Sequence, residues 1–100
     1  MVVRVLDDEL DEVLRALAHP TRRWIVVRCR HDWVAAGTLT DELALAPATV
    51  SEHLKVLRKT GLVELQTDGA WRRYRTRLGP WRHAVTTVNT MITTNRKAPS

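Results

Sequence analysis

Cysteine is nearly absent from this chain of 100 residues, which contains only Cys29. A single thiol cannot form a disulfide within the chain, so the sequence is not that of a small secreted domain held by disulfides. Cys29 falls on the apolar side of a predicted helix, and buried thiols are usually inert, which argues against a redox switch. The cysteine usage fits a reducing compartment, and we predict a cytoplasmic protein.

Long apolar runs are missing as well. No stretch approaches the roughly 20 apolar residues that a membrane-spanning helix needs, and the first residues lack the basic-then-apolar order of a signal peptide. The chain has no internal repeat and no low-complexity segment. We therefore predict one domain over residues 1–95, a flexible tail at 96–100, and no membrane partner.

Sequence signatures of catalysis are equally scarce. The chain has no glycine-rich loop that cradles phosphates, no nucleophile elbow and no metal-bound general base. Ser51 and His53 lie two residues apart on one predicted helix, so they do not face each other as a nucleophile and its base. We predict that the protein is not an enzyme.

Positive charge, in contrast, is in excess. Sixteen basic residues against eleven acidic ones give a formal net charge of +5 and a pI of about 10.3. Net charge by itself favours a polyanionic partner only weakly. The placement of the charges is more informative, because acids gather in Asp7–Glu12 and bases cluster in Lys55–Lys59 and Arg72–Arg77. Such a separation suits a protein that presents one face to phosphate groups.

Two helices are predicted at the start of the chain. Apolar residues recur at helical spacing within residues 1–18, and Asp7 or Asp8 can cap this first helix. His19-Pro20 ends it, because the residue before proline is pushed out of the α region. Proline suits the first position of a helix, so a second helix should run from about Pro20 to Cys29.

The segment 39–60 predicts a helix-turn-helix. Residues 31–37 are interpreted as a loop, Thr38 as an N-cap, and Leu39–Leu43 as a short third helix. A fourth helix should begin near Pro47 and end at Thr60, with Gly61 as its left-handed C-cap residue. Its apolar residues share one face and its polar residues the other.

A hairpin and a last helix complete the pattern. Residues 62–77 predict two short strands, and Asp68-Gly69 is a strong signal for a two-residue turn. Gly79-Pro80 breaks the chain before a C-terminal helix over residues 80–95. A helix pair followed by an arginine-rich hairpin is typical of a winged helix-turn-helix. The predicted fold is mainly α with a small β-hairpin, in the order α-α-α-α-β-β-α.

The two terminal helices predict a dimer. The last helix carries a narrow apolar seam, which often pairs with another helix, and the first helix offers a second apolar stripe. Packing of both against their own domain is the alternative. The candidate interface residues are Leu6, Leu10, Val13, Leu14, Leu17, Trp81, Val85, Val88 and Ile92.

Four stretches resemble the ArsR/SmtB family of small winged-helix repressors. The run from Leu17 to Arg22, LAHPTR, is similar to the L-A-D-P-T-R opening of the family's second helix. The run from Thr49 to Leu57, TVSEHLKVL, is close to its T-V-S-x-H-L-K-V-L recognition helix. Gly61-Leu62-Val63 follows at the usual spacing, and Gly69 to Tyr74, GAWRRY, resembles the wing G-R-W-x-Y-Y. The resemblance covers nearly the whole chain.

The resemblance implies a homodimer joined through the first and last helices, which binds an inverted-repeat operator in duplex DNA. The chain also departs from the family pattern in its helix-turn-helix and its wing. Ala44 falls where the helix-turn-helix usually has glycine, Ala46 where it usually has a serine N-cap, and Ala70 where the wing tip often has arginine. Pro47 compensates in part, because it preorganises the first turn of its helix.

The candidate DNA contacts lie on the fourth helix and the hairpin. Thr49, Ser51 and Glu52 are expected to reach base edges, with Glu52 able to accept from a cytosine amine. His53 is either a further contact or a packed side chain. Phosphate contacts are expected from Lys55 and Arg58. The wing is expected to reach the minor groove or its phosphates through Arg72, Arg73 and Arg75. Alternation along a strand prevents the last three from pointing the same way, so at least one should form a structural ion pair.

The metal sites familiar in the family lack their ligands here. One uses paired cysteines in a C-x-C-D-L-A pattern, where this chain has Ala35 and Gly37. The other uses acids and histidines of the last helix. The residues at those positions are Leu78, Pro80, Met91 and Thr94.

A nonstandard site for nickel or zinc is a second hypothesis. His83 could meet Asp7, Asp8 or Glu9 across a dimer interface and form a mixed nitrogen and oxygen site. An exposed histidine beside solvated acids is the alternative reading.

Three functions therefore remain in view. The first is a dimeric DNA-binding transcriptional regulator, controlled by a small effector or a partner protein. The second is a metal-responsive regulator, and the third is a winged helix that docks onto another protein. A docking module should show an apolar patch on the fourth helix, whereas the sequence places Thr, Ser, Glu and Lys there.

Overall fold

The computed structural model describes residues 7–94, so Leu6 and the predicted tail lie outside the described residues. The helices are α1 (Asp8–Leu17), α2 (Pro20–Arg28), α3 (Ala36–Leu43), α4 (Pro47–Lys59) and α5 (Leu78–Thr94), and the strands are β1 (Val34–Ala35), β2 (Val63–Asp68) and β3 (Trp71–Thr76). Within residues 7–94, the five helices and the small sheet follow in the order that confirms the predicted winged helix-turn-helix. The proposed division of the chain into functional segments stays a prediction.

Helix α1 begins where the sequence predicts a cap. The carboxylate of Asp7 accepts hydrogen bonds from the backbone N–H groups of Glu9 and Leu10 at 2.9 and 3.2 Å. These bonds satisfy donors that have no partner inside the helix. Asp7, rather than Asp8, is therefore the N-cap residue, and the first turn of α1 is fixed by it.

Helix α2 places the single cysteine in the core. Pro20 occupies the first turn, and both Ile25 and Cys29 are fully buried. Burial raises the pKa of the Cys29 thiol to about 11, because the thiolate would lose its hydration. A thiol that stays protonated and covered is a packing residue, in agreement with the predicted inert role.

The segment that was expected to be a loop contains strand β1. The sheet has the order β1-β3-β2 and is antiparallel, with Val34 opposite Tyr74, and both of these residues are buried. Because β1 leads directly into α3, that helix begins at Ala36 rather than at Leu39. Its N-cap is Ala35, which makes no side-chain cap bond, so the prediction of Thr38 as the cap was wrong.

The turn between α3 and α4 has a strained residue. Ala44 is the C-cap of α3 and has a φ of 54° and a ψ of 39°, which is the left-handed region. A side chain with a Cβ pays about 1–2 kcal/mol to adopt that conformation, and glycine does not. The turn then leads to α4, which begins at Pro47 as predicted and buries Val50, Leu54 and Leu57.

Replacing Ala44 by glycine is expected to stabilise the protein. The substitution removes the left-handed strain, and the gain of about 1 kcal/mol in the free energy of unfolding is offset only in part by the greater freedom of glycine in the unfolded chain. Ala48→Gly, at an exposed helical position of α4, is the matched control and should destabilise by about 0.5–1 kcal/mol. Chemical denaturation measures both, and equal signs for the two changes would contradict this account.

The end of α4 follows the prediction closely, whereas the turn of the hairpin does not. Gly61 has a φ of 79° beyond the last residues of α4, as a left-handed C-terminal residue should. The turn of the hairpin is shifted by one residue from the prediction. Asp68 pairs with Trp71, which leaves Gly69 and Ala70 as the two loop residues, with only Gly69 at a positive φ. A glycine at the first loop position is typical of a type II′ turn.

Helix α5 starts earlier than predicted, because Gly79 and Pro80 do not break it. Both lie in its first turn, where a proline costs nothing since its missing N–H would have no helical partner. Helix α5 packs on α1 and buries Ala84 and Thr87. Within the described residues, no helix has the length and apolar character to cross a membrane.

Candidate nucleic-acid interface

Helix α4 has one buried face and one polar face. Its apolar residues fill the core between α2, α3 and the sheet. The exposed face carries five of the predicted contact residues: Thr49, Ser51, Glu52, Lys55 and Arg58. This separation leaves short polar side chains at the N-terminal end of the helix and cations further along it.

A groove runs between α4 and strand β3. Ser51, Glu52, Lys55, Arg58 and Arg72 line it, and the buried ring of Tyr74 closes one side. Because Arg72 and Tyr74 are two residues apart on a strand, their side chains lie on the same face of the sheet. The wing therefore adds Arg72 to the two cations of α4, and the groove carries three positive charges against one negative.

The other wing arginines lie on the opposite face of β3. Arg75 is paired with Glu64 at 3.3 Å, and its guanidinium lies 4.6 Å from the centre of the Trp33 ring. Arg75 thus supports the sheet, which confirms that one of the three arginines forms an ion pair. Arg73 is exposed, so its guanidinium is accessible to a phosphate group. Trp71, which was not among the predicted contact residues, is 64% exposed beside the turn of the wing.

His53 is only partly exposed and faces α2 rather than the groove. Its Nδ1 accepts a hydrogen bond from Nε of Arg22 at 3.1 Å, and its ring centre lies 6.0 Å from that of His19. Burial lowers the pKa of His53, and the charges of Arg22 and His19 lower it further. Of the two readings of His53, the contacts favour the packed side chain.

The stability of the folded protein is therefore expected to decrease as the pH decreases, and part of this loss should depend on His53. The pKa of His53 is lower in the folded protein than in the unfolded chain, so the unfolded chain binds more protons at mildly acidic pH. The stabilisation is complete above the unfolded value of about 6.5 and is lost as the pH falls towards the folded value. Thermal unfolding of His53→Gln between pH 8 and pH 5 should show a smaller loss of Tm than the unsubstituted protein. His31→Gln, at an exposed site, is the control and should keep the full loss; the same loss in all three proteins would rule the explanation out.

The two terminal helices form an open apolar groove. It has a volume of about 360 Å³ and is lined mainly by Leu14 and Leu17 of α1 and by Trp81, Val85, Val88 and Ile92 of α5. Leu10 and Val13, which were expected at the interface, are both buried in the protomer, although Val13 also lines the groove. The prediction for Leu6 falls outside the described residues.

Helix α5 is less polar than its many threonines indicate. The hydroxyls of Thr87, Thr90 and Thr93 each donate a hydrogen bond to a backbone carbonyl four residues earlier, at 2.9, 2.8 and 3.1 Å. Their polar atoms are therefore satisfied within the helix itself. Val85 and Ile92 of the seam are exposed, and they form an apolar surface on this helix.

A third feature lies at the start of α1, where Asp7 and Glu9 meet a side chain of α5. Nε2 of His83 is 2.7 Å from Oδ2 of Asp7 and 3.6 Å from Oε2 of Glu9. The bond to His83 lowers the pKa of the Asp7 carboxyl, because the histidine stabilises its charged form. This contact was expected across a dimer interface, whereas it occurs within one chain, and Asp8 does not take part.

The fold and the basic groove define a winged helix-turn-helix protein. The model of a family described as a helix-turn-helix domain matches residues 17–66, which is half of the chain. A solved ArsR-like transcriptional regulator from Rhodococcus sp. RHA1 superposes with a TM-score of 0.84 at 26% identity, over 90% of this chain and 83% of that chain. The protein belongs to the ArsR/SmtB family of winged helix-turn-helix regulators.

Two curated relatives come from Mycobacterium tuberculosis. The chain is 38% identical over 72 residues to the HTH-type transcriptional repressor SmtB, which is 72% of this chain and 53% of the relative. It is 42% identical over 64 residues to the HTH-type transcriptional regulator Rv2034, which is 64% of this chain and 60% of the relative. The chain thus spans about half to three fifths of the length of these relatives.

Proposed function

We propose that the protein is a DNA-binding transcriptional regulator that binds an inverted-repeat operator as a homodimer. The observation that supports this most directly is the groove between α4 and β3, where Lys55, Arg58 and Arg72 surround the polar N-terminal half of α4. Cations in such an arrangement bind phosphates, whereas short polar side chains on a protruding helix read base edges.

The two kinds of contact have different tasks. Lys55, Arg58 and Arg72, together with the exposed Arg73, supply affinity that does not depend on sequence, because each phosphate contact releases counterions. Thr49, Ser51 and Glu52 lie in the first turns of α4 and select the operator through hydrogen bonds in the major groove. Their short side chains allow the helix backbone to approach the bases.

A second copy of the chain is the proposed occupant of the apolar α1–α5 groove. Two helices with unpaired apolar stripes bury them by a two-fold association, in which each stripe meets its own counterpart. Such a dimer presents two α4 helices, which on an inverted repeat would enter successive major grooves about 34 Å apart. The homodimer and the operator symmetry therefore belong to the same proposal.

The competing protein-docking function is less well supported. A docking helix should expose apolar side chains, but Val50, Leu54 and Leu57 of α4 are all buried.

An enzymatic function also lacks support, since the ArsR/SmtB family consists of transcriptional regulators. We propose a location in the bacterial cytoplasm, because the operator of a DNA-binding regulator would be found there. A small effector or partner protein would control it by changing the angle between the two halves of the dimer.

The direct test is footprinting on genomic fragments, including the region upstream of the protein's own gene, across a salt series. We expect one protected region made of two half-sites, with an affinity that falls steeply as salt rises. Weak, salt-sensitive binding without a preferred fragment would contradict a sequence-specific regulator. The absence of any binding at low salt would exclude the DNA-binding function and favour the docking module.

A further inference from the structure

We propose that Asp7, Glu9 and His83 form a binding site for a divalent transition metal ion such as zinc or nickel. The three side chains come from the start of α1 and the second turn of α5. Their ligand atoms, two carboxylate oxygens and one imidazole nitrogen, all lie within 4.8 Å of one another. The site is formed within one chain and does not depend on DNA binding.

The separations between the atoms fit a metal of this class. A tetrahedral ion with bonds of about 2.0–2.2 Å holds its ligand atoms roughly 3.3–3.6 Å apart. The distance from His83 to Glu9 is 3.6 Å, and that from His83 to Asp7 is 2.7 Å. An ion between them therefore requires His83 and Asp7 to separate by less than about 1 Å, which side-chain rotation alone provides.

The Asp7 carboxylate is already oriented for this role. Its Oδ1 accepts the two cap bonds from the backbone of α1, so its Oδ2 is directed towards His83. Metal ligands are commonly held in place by such outer hydrogen bonds, which reduce the entropy lost on binding. The cap thus gives the site one preorganised oxygen, which an isolated pair of surface acids would lack.

The donor set selects the kind of ion. An imidazole nitrogen with two carboxylates favours zinc or nickel over magnesium and calcium, which prefer oxygen ligands only. Three protein ligands leave at least one position for water or for an incoming group. His83 and Glu9 are exposed at their side chains, so an ion can enter and leave without unfolding of the protein.

Metal binding would also brace the fold, because the site joins α1 to α5. These two helices pack on each other and line the apolar groove, and the ion would close one end of the pair. A ligand that binds only the folded state raises its stability. A metal in large excess over its dissociation constant is therefore expected to raise Tm by about 5 °C or more.

Calorimetric titration of the full, metal-free chain with zinc and with nickel tests the site. We expect one ion per chain, and a loss of affinity of at least about 10-fold in Glu9→Gln and in His83→Gln. Asp8→Asn and His31→Gln are the matched controls, because they remove the same groups at exposed positions outside the cluster. Both controls should bind as the unsubstituted protein does, and magnesium should not bind at all.

Two results would overturn the site. The site would be excluded if the unsubstituted protein bound neither zinc nor nickel. It would also be excluded if the two site variants and the two controls bound the ion with equal affinity. Circular dichroism should show that each variant is folded, because Glu9 and His83 are exposed and their substitution leaves the core intact. The rise in Tm with metal provides an independent reading, and it should be absent from His83→Gln.

Discussion

Replacing Val88 by glutamate is expected to produce a monomer and to weaken operator binding by about 100-fold to 10,000-fold. Val88 lines the apolar α1–α5 groove and is 38% exposed in the isolated protomer. A dimer would bury this position against its counterpart, and two carboxylates brought together there would repel each other without water around them. The loss of affinity follows because a monomer binds one half-site without the high effective concentration of the second.

The control is Thr86→Glu, which adds the same charge to the same helix. Thr86 is exposed, has nearly the shape of valine, and does not line the groove. Analytical ultracentrifugation should show a dimer for this variant and a monomer for Val88→Glu. A dimer in both variants, with unchanged DNA binding, would place the interface elsewhere. A monomer that binds the operator as tightly as before would contradict the proposed two-fold mode of binding.

Conversion of Lys55, Arg58 and Arg72 to glutamine is expected to remove most of the affinity for DNA. Three phosphate contacts on each of two protomers contribute a slope of about 5 to the dependence of log K on log salt, and this part of the slope should disappear. At physiological salt the affinity should fall by about 1,000-fold or more, since each lost contact weakens binding several-fold. Titration of an operator fragment at several salt concentrations measures both quantities.

A second triple substitution tests whether the affinity for DNA depends on the position of the cations or only on the net charge of the protein. Arg30, Arg77 and Arg82 are exposed and do not line the groove between α4 and β3. Changing these three to glutamine removes the same charge from the protein and should reduce the salt slope only slightly. An equal loss in both triple variants would mean that the overall charge attracts DNA, and that the groove has no special role.

Much of the fold was predictable because its signals are local. The Asp7 cap, the start of α4 at Pro47 and the left-handed Gly61 each depend on residues within one or two turns. The buried face of α4 follows from its apolar period in the same way. Such patterns determine where an element begins and which face it buries, whatever lies opposite.

Strand β1 could not be predicted, because its formation does not depend on local signals. Two residues, Val34 and Ala35, carry no period, and they become a strand only because β3 offers them a free edge. The early start of α3 is a consequence of that pairing. The role of Trp33 is also non-local, since its ring lies beside a guanidinium from β3.

The sequence by itself determined the class of protein, the buried and polar faces of α4 and the set of basic residues, because composition, period and capping are properties of neighbouring residues. The tertiary structure decided which cations share a groove and which support the sheet, so that Arg72 faces α4 while Arg75 pairs with Glu64. It also brought Asp7 and His83, 76 residues apart, into contact within one chain. A periodic pattern specifies the face on which a side chain lies, but only packing determines what that face meets.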